Sequence, residues 1–311
     1  MYGYVAAFIS AALVGSIFPI AKPILAGQIQ PLTLSSLIYL IAGFFMVPVM
    51  LIGKRNKKEK KSLKKDEYAI LLVIGLLGGG IAPFLFFEGL KRTTASNASV
   101  LEGGELLFTV MIALLFFKEK LTKIGYLGMT ITIIGVTLIS LSSTTTNNIP
   151  NSWYNFNLNL NFGNILIILS TLCWGLDNNI SKIISRRITS TAKIVLIKSL
   201  IGGTLLLIIS FFLGYKLNFD ITQIPYLLFL GIGGFGLSLF FFIESLRIIG
   251  TLKTIIIFSS STIFGLILSF IILNEKIGIM QLIATTLVIL GLYYVNKDEL
   301  NYLKQIKQKK C

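Results

Sequence analysis

Histidine is absent from this chain of 311 residues, and cysteine occurs only twice. The first absence removes the commonest metal ligand and the side chain that changes charge near neutral pH. Cys173 falls inside an apolar run and Cys311 stands at position 311. Two cysteines at different levels support neither a disulfide framework nor a thiolate metal site. Charge is scarce as well: Asp, Glu, Lys and Arg make up 13% of the residues, about half their share in soluble domains. The chain has no nucleophile motif, no metal-ligand cluster and no Gly-rich phosphate loop followed by Gly-Lys-Ser or Gly-Lys-Thr. An enzyme, a cofactor protein and an ATP-driven pump are therefore not expected, and neither a cofactor nor a metal is assigned.

What is present is apolar. Hydrophobic residues are 54% of the chain and the mean hydropathy is +0.83. A soluble fold could not hide that much apolar surface, whereas a bilayer absorbs it at about 20 mostly apolar residues per crossing helix. Ten such segments are predicted, near 3–25, 31–53, 67–90, 95–117, 122–141, 163–185, 191–214, 225–247, 251–273 and 278–296. They are long and continuous, which favours helices over barrel strands; those would be short and alternate apolar with polar. The first segment lacks a basic leader and precedes a long apolar array, so it reads as a retained span.

The net charge of +15 is unevenly distributed. Lys54, Arg55, Lys57, Lys58, Lys60, Lys61, Lys64 and Lys65 crowd one short loop. Lys118, Lys120, Lys123, Lys182, Arg186, Arg187, Lys193, Arg247, Lys253 and the lysines of 297–311 lie on the same predicted side. The other side has Lys91, Arg92, Lys216 and Lys276. The excess of Lys and Arg marks the cytoplasmic face, so both termini are expected inside the cell membrane. The cluster at 54–65 suits contact with anionic lipid and does not form a nucleic-acid surface.

The chain also repeats itself. Glu88 recurs as Glu244, Glu119 as Glu275 and Gly135 as Gly291, each at a spacing of 156 residues. Gly75, Gly78 and Gly80 match Gly231, Gly234 and Gly236 at that spacing, while Gly15 and Lys22 match Gly175 and Lys182 at 160. Five crossings per copy insert the second copy upside down, the architecture of many secondary transporters, with the substrate site at the repeat interface near the midplane. The expected fold is an all-α membrane protein of ten transmembrane helices in two inverted five-helix repeats, residues 1–141 and 163–296. A polar external linker at 142–162, with Trp153 and Tyr154 at the interface, joins them, and a basic cytoplasmic tail, 297–311, follows. The Gly clusters at 75–80 and 231–236 are expected where helices pack closely, because small residues allow that in lipid.

A charged side chain at the bilayer centre costs about 2.5–3.5 kcal/mol, so each needs a partner, water or neutralisation. Glu105 lies halfway along the fourth segment and Glu102 one turn before it, on one face. Gly103 and Gly104 leave room between them for a ligand or another backbone. The repeat counterparts are Phe258 and Ser261, an asymmetry that suits reading a polar or cationic group. A buried carboxyl can exchange a proton, so Glu105 is a candidate for coupling transport to a proton gradient. Asp177 and Lys198 are each about 10–12 Å from the same surface and are expected to pair; Lys198 is otherwise an anchor for a substrate carboxylate or phosphate. Trp174 and Asn178 are placed in the same cavity. Lys22 is a shallower cation. Glu88 with Lys91 and Glu244 with Arg247 have helical ion-pair spacing, and Glu119 and Glu275 sit beside lysines at span ends; these four are structural or gating candidates.

The stretches Leu90-Lys91-Arg92-Thr93-Thr94-Ala95-Ser96-Asn97-Ala98, Glu105-Leu106-Leu107-Phe108-Thr109, Phe116-Phe117-Lys118-Glu119-Lys120-Leu121-Thr122 and Ile133-Ile134-Gly135-Val136 carry a resemblance, as do Trp174-Gly175, Leu246-Arg247, Asn274-Glu275-Lys276 and Leu290-Gly291. In order and spacing the chain resembles a ten-helix member of the drug/metabolite transporter superfamily with two EamA-type domains. It departs from that pattern at Leu106, where the family often has Pro, and at Ile38, where it often has Arg; Lys198 is a cation in the matching second-half position. The resemblance implies a central cavity lined by spans one to four and six to nine, with five and ten peripheral. The function expected is a secondary transporter for a small polar metabolite such as an amino acid or a related compound, working by alternating access and coupled to protons. A membrane-embedded lipid-handling protein or enzyme, or a passive channel, is the alternative.

Overall fold

The computed structural model describes residues 1–27, 29–54, 65–117, 122–141, 161–185, 190–216, 219–250, 254 and 257–308. Among these residues the regular structure is helical throughout. In lipid a backbone must satisfy its own hydrogen bonds, and helices do so within one segment. Each predicted interval contains helix. α1 spans Tyr2–Ala26 and α2 Pro31–Lys54; α3 runs over Lys65–Arg92. α4 is made of two pieces, Ala95–Glu102 and Gly104–Phe117. α5 is Lys123–Leu141, α6 Phe162–Ser185 and α7 Thr191–Phe212. α8 covers Ile221–Ile249, α9 Ser260–Leu273 and α10 Ile279–Gln308.

Seven of these helices, α1 to α5, α7 and α8, are long and apolar enough to cross a membrane; α9 and the Ile279–Tyr294 part of α10 are shorter apolar helices. α6 has 24 residues, with Asn164, Asp177, Asn178, Asn179 and Lys182 along it. Three local features differ from the sequence reading. α4 turns at Gly103 instead of running on. α10 continues to Gln308, so helix extends into the basic tail that was expected to start at 297. The Gly clusters are more than packing sites: Leu77–Ile81 and Leu230–Leu237 wind as π-helix inside α3 and α8. The basic residues at 55–64, the linker at 142–160 with Trp153 and Tyr154, Glu119 with its flanking lysines, and Cys311 lie outside the described residues.

Helix pairing follows a regular plan. α1 packs on α8 and α9, and α6 packs on α3 and α4. α2 packs on α7, and α5 on α10. Exchanging α1 to α5 with α6 to α10 turns the α1 pairings into the α6 pairings and leaves α2 with α7 and α5 with α10 unchanged. Close contacts rest on glycine. A Cβ on Gly202 of α7 would fall on the backbone of Gly79 in the π-helical turn of α3. The repeated Gly135 and Gly291 face one another's helices: a Cβ on Gly135 would lie 2.8 Å from Val288 of α10, and one on Gly291 2.6 Å from the Gly128 carbonyl of α5. Apolar side chains such as Phe116, Phe211 and Phe212 remain exposed on the outside, where acyl chains would cover them.

Candidate functional site

The two pieces of α4 put Glu102 at the end of one helix and Glu105 in the first turn of the next. Both carboxyl groups are buried. They face a partly open cavity between the helix sets, lined from α1 to α4 and from α6 to α8, with Phe258 just before α9. α5 and α10 do not contribute to its lining. The six residues expected at a substrate site, Glu102, Glu105, Trp174, Asp177, Asn178 and Lys198, all line it.

Their contacts divide the charge. Lys198 Nζ donates to Asp177 Oδ2, an ion pair whose side chains are 3% and 1% exposed. Ser181 Oγ donates to the other Asp177 oxygen at 3.3 Å. The pair can form because Gly78 has no side chain; a Cβ there would fall on the Asp177 carboxylate. Asn178 Nδ2 donates to Glu105 Oε1 at 2.6 Å. Glu105 also lies at the positive end of its helix, which favours a carboxylate. Glu102 Oε2 has no hydrogen-bond partner among the described residues.

Aromatic rings make up much of the wall. Trp174 packs on Phe86 with ring centroids 5.4 Å apart, Tyr39 on Phe235 at 5.0 Å and Phe242 on Phe258 at 4.6 Å. Tyr39 Oη and Trp174 Nε1 both donate to the Gly78 carbonyl, at 3.0 and 3.3 Å. Apart from Trp174, which the sequence already placed here, these rings gave little signal, since an aromatic in an apolar helix can face lipid, core or cavity. Phe258 is the other exception: its register opposite Glu102, 156 residues on, points to this place.

The remaining candidates lie apart from the cavity. Lys22 Nζ donates to the carbonyls of Leu90, at 2.8 Å, and of Lys91 and Thr93, at the carbonyl end of α3, where a cation is favoured. Glu88 pairs with Arg92 (Nε to Oε1, 2.9 Å), four residues on, and not with Lys91 as its spacing suggested; one further residue along the helix still keeps the partner on the same face. Glu244 does meet Arg247, at 3.5 Å, and accepts from Thr191 Oγ1 at 2.7 Å, tying α8 to the start of α7. Glu275 turns away from its neighbouring lysine. It accepts from the Ala95 and Ser96 amides, each at 2.9 Å, and from Ser96 Oγ at 2.6 Å, capping α4. Free amides at a helix start attract a carboxylate more strongly than an exposed lysine does. Cys173 is a free thiol.

Membrane-length helices around a small cavity with buried charge define a multi-pass membrane protein. The chain belongs to the EamA-like transporter family, which matches residues 1–141 and 161–297. It is 30% identical over 306 residues to an uncharacterized transporter of Methanothermobacter thermautotrophicus, covering 94% of this chain and 85% of that one. It is 25% identical over 292 residues to the uncharacterized transporter YyaM of Bacillus subtilis, covering 89% and 88%. A solved crystal structure shares the fold at a TM-score of 0.65 and 17% identity, over 94% of this chain and 95% of that one.

Proposed function

We propose that the protein is a secondary carrier that moves a small polar metabolite, an amino acid or a related compound, by alternating access between two inverted repeats, 1–141 and 163–296, spanning the cell membrane with both termini in the cytoplasm. The observation that carries this reading is the partly open cavity lined by three carboxyl groups and one ammonium group between the two helix sets. Buried charge in a membrane protein is costly and marks a solute or ion path. In this reading Glu102 and Glu105 receive the amino group. Glu105 exchanges a proton as the site changes sides, and Asn178 holds it in place. The Lys198–Asp177 pair joins α6 to α7 on the wall and moves with them, while Trp174 and Phe86 close the site to lipid.

The test is counterflow. Purified protein in liposomes loaded with a panel of unlabelled amino acids and amines takes up labelled solute in the absence of ATP, and an imposed pH gradient drives accumulation above equilibrium. Glu105→Gln retains counterflow but loses the pH-driven accumulation. A channel would equilibrate its solute and never accumulate it; a lipid-handling protein would give neither signal. Unchanged pH-driven uptake in Glu105→Gln removes the proton role.

A further inference from the structure

Resting on the carrier reading, we infer that the recognised end of the solute is a cationic nitrogen bearing carbon substituents, an organic ammonium group, and that Glu102 is the carboxylate that receives it. Three independent observations lead there.

The first is the inventory of donors. Six side chains lining the cavity can donate a hydrogen bond, and each already gives one to the protein. Ser10 donates to the Ser238 carbonyl at 2.8 Å and Ser238 to the Gly234 carbonyl. Tyr39 and Trp174 share the Gly78 carbonyl. Asn178 serves Glu105 and Lys198 serves Asp177. Lys198 and Asn178 keep further N–H groups beyond these bonds, but the Lys198 charge is already paired with Asp177, so an arriving anion would compete with that carboxylate.

The second is the acceptor left over. Among the described residues, Glu102 Oε2 is the buried carboxylate oxygen without a hydrogen-bond partner, and the Glu102 side chain lines the cavity with only 7% of its surface exposed. Asp177 has its lysine and Glu105 its asparagine; Glu102 has no comparable donor.

The third is the wall. The aromatic pairs Phe86 with Trp174, Tyr39 with Phe235 and Phe242 with Phe258 all border the same space. Ring faces attract cations, and aromatic walls are a recurrent way to bind alkylated ammonium groups, whose carbon substituents prefer rings to water. A primary metal ion would want several oxygen ligands in place of rings. The combination of a spare carboxylate, a lysine already paired with an aspartate and aromatic faces fits an ammonium group carrying methyl or methylene groups.

The experiment uses the purified full chain. Thermal unfolding in detergent is followed with tetramethylammonium, choline, phenethylammonium, the neutral choline isostere 3,3-dimethylbutan-1-ol, L-alanine and acetate. A ligand that binds the folded state raises the melting temperature by mass action. The cations raise it in a saturable way, while the neutral isostere and acetate do not. Glu102→Gln weakens the cation's apparent Kd by about tenfold or more, the loss expected when a buried cation is left without its counter-charge. Phe242→Leu, which keeps bulk and removes the ring face, weakens it by a smaller factor, about threefold. The melting temperature of each variant without ligand shows whether it is folded, and Phe242→Leu tests the same site if Glu102→Gln unfolds. Stabilisation by L-alanine alone overturns the organic-cation inference while leaving the carrier reading intact. Equal binding of the neutral isostere, or a folded wild type indifferent to all three cations, overturns it as well. Absence of counterflow for the whole panel of amino acids and amines removes the carrier reading itself.

Discussion

Lys198 and Asp177 show how a buried pair is judged at the residue scale. Each is unfavourable in an apolar interior alone, and together they offset much of that cost. Losing one partner strands the other. Asp177→Asn or Lys198→Met alone should therefore lower stability by about 3–5 kcal/mol, and the double variant by less than the sum of the two. Thermal or denaturant unfolding of the four proteins in detergent measures this coupling; additive losses would show that the pair contributes no mutual stabilisation. The sequence made this pair readable, because both charges lay at one depth on consecutive segments. It also made Glu102 and Glu105 readable as buried acids. It could not say that Asn178 would bond Glu105 and leave Glu102 Oε2 without a partner, since that choice depends on how α6 is rotated against α4.

At the scale of elements, glycine sets the spacing between helices. The π-helical turn of α3 brings Gly79 against Gly202 of α7, and the same turn aims the Gly78 carbonyl at Tyr39 and Trp174. A side chain at 202 would push α7 away from α3 and with it Lys198 from Asp177. Gly202→Leu is expected to cost about 1–3 kcal/mol or more, as overpacking does, and to lower solute uptake. Gly278→Ala, whose Cβ would meet nothing nearer than Gln281 Oε1 at 3.9 Å, should leave melting temperature and uptake near wild type. The repeated glycines were legible as close contacts from sequence. Their π-helical winding was not, because an extra residue per turn follows from what packs alongside. The turn at Gly103 had a visible cause, two consecutive glycines of low helix propensity, yet an apolar stretch on each side read as one continuous span.

For the whole molecule, orientation rests on the charge asymmetry between the two faces. Cysteine is easily removed, since Cys173 and Cys311 complete the set. In a Cys173→Ser, Cys311→Ser background, a cysteine at Lys216 should react with a membrane-impermeant maleimide added to intact cells. One at Lys65 should react only after the membrane is opened. The reverse pattern would invert the topology.

Composition, segment lengths and the spacing of 156 residues determined by themselves that this is a helical membrane protein with a repeated plan and a few buried charges. Those properties are local: lipid selects apolar residues segment by segment, and each ionisable group stands out against that background. Which faces look inward was decided only by tertiary packing. In membrane helices the core and the lipid favour the same residues, so the apolar pattern has no preferred side. The aromatic wall and the unpartnered oxygen of Glu102 arise only when helices far apart in sequence meet around one cavity.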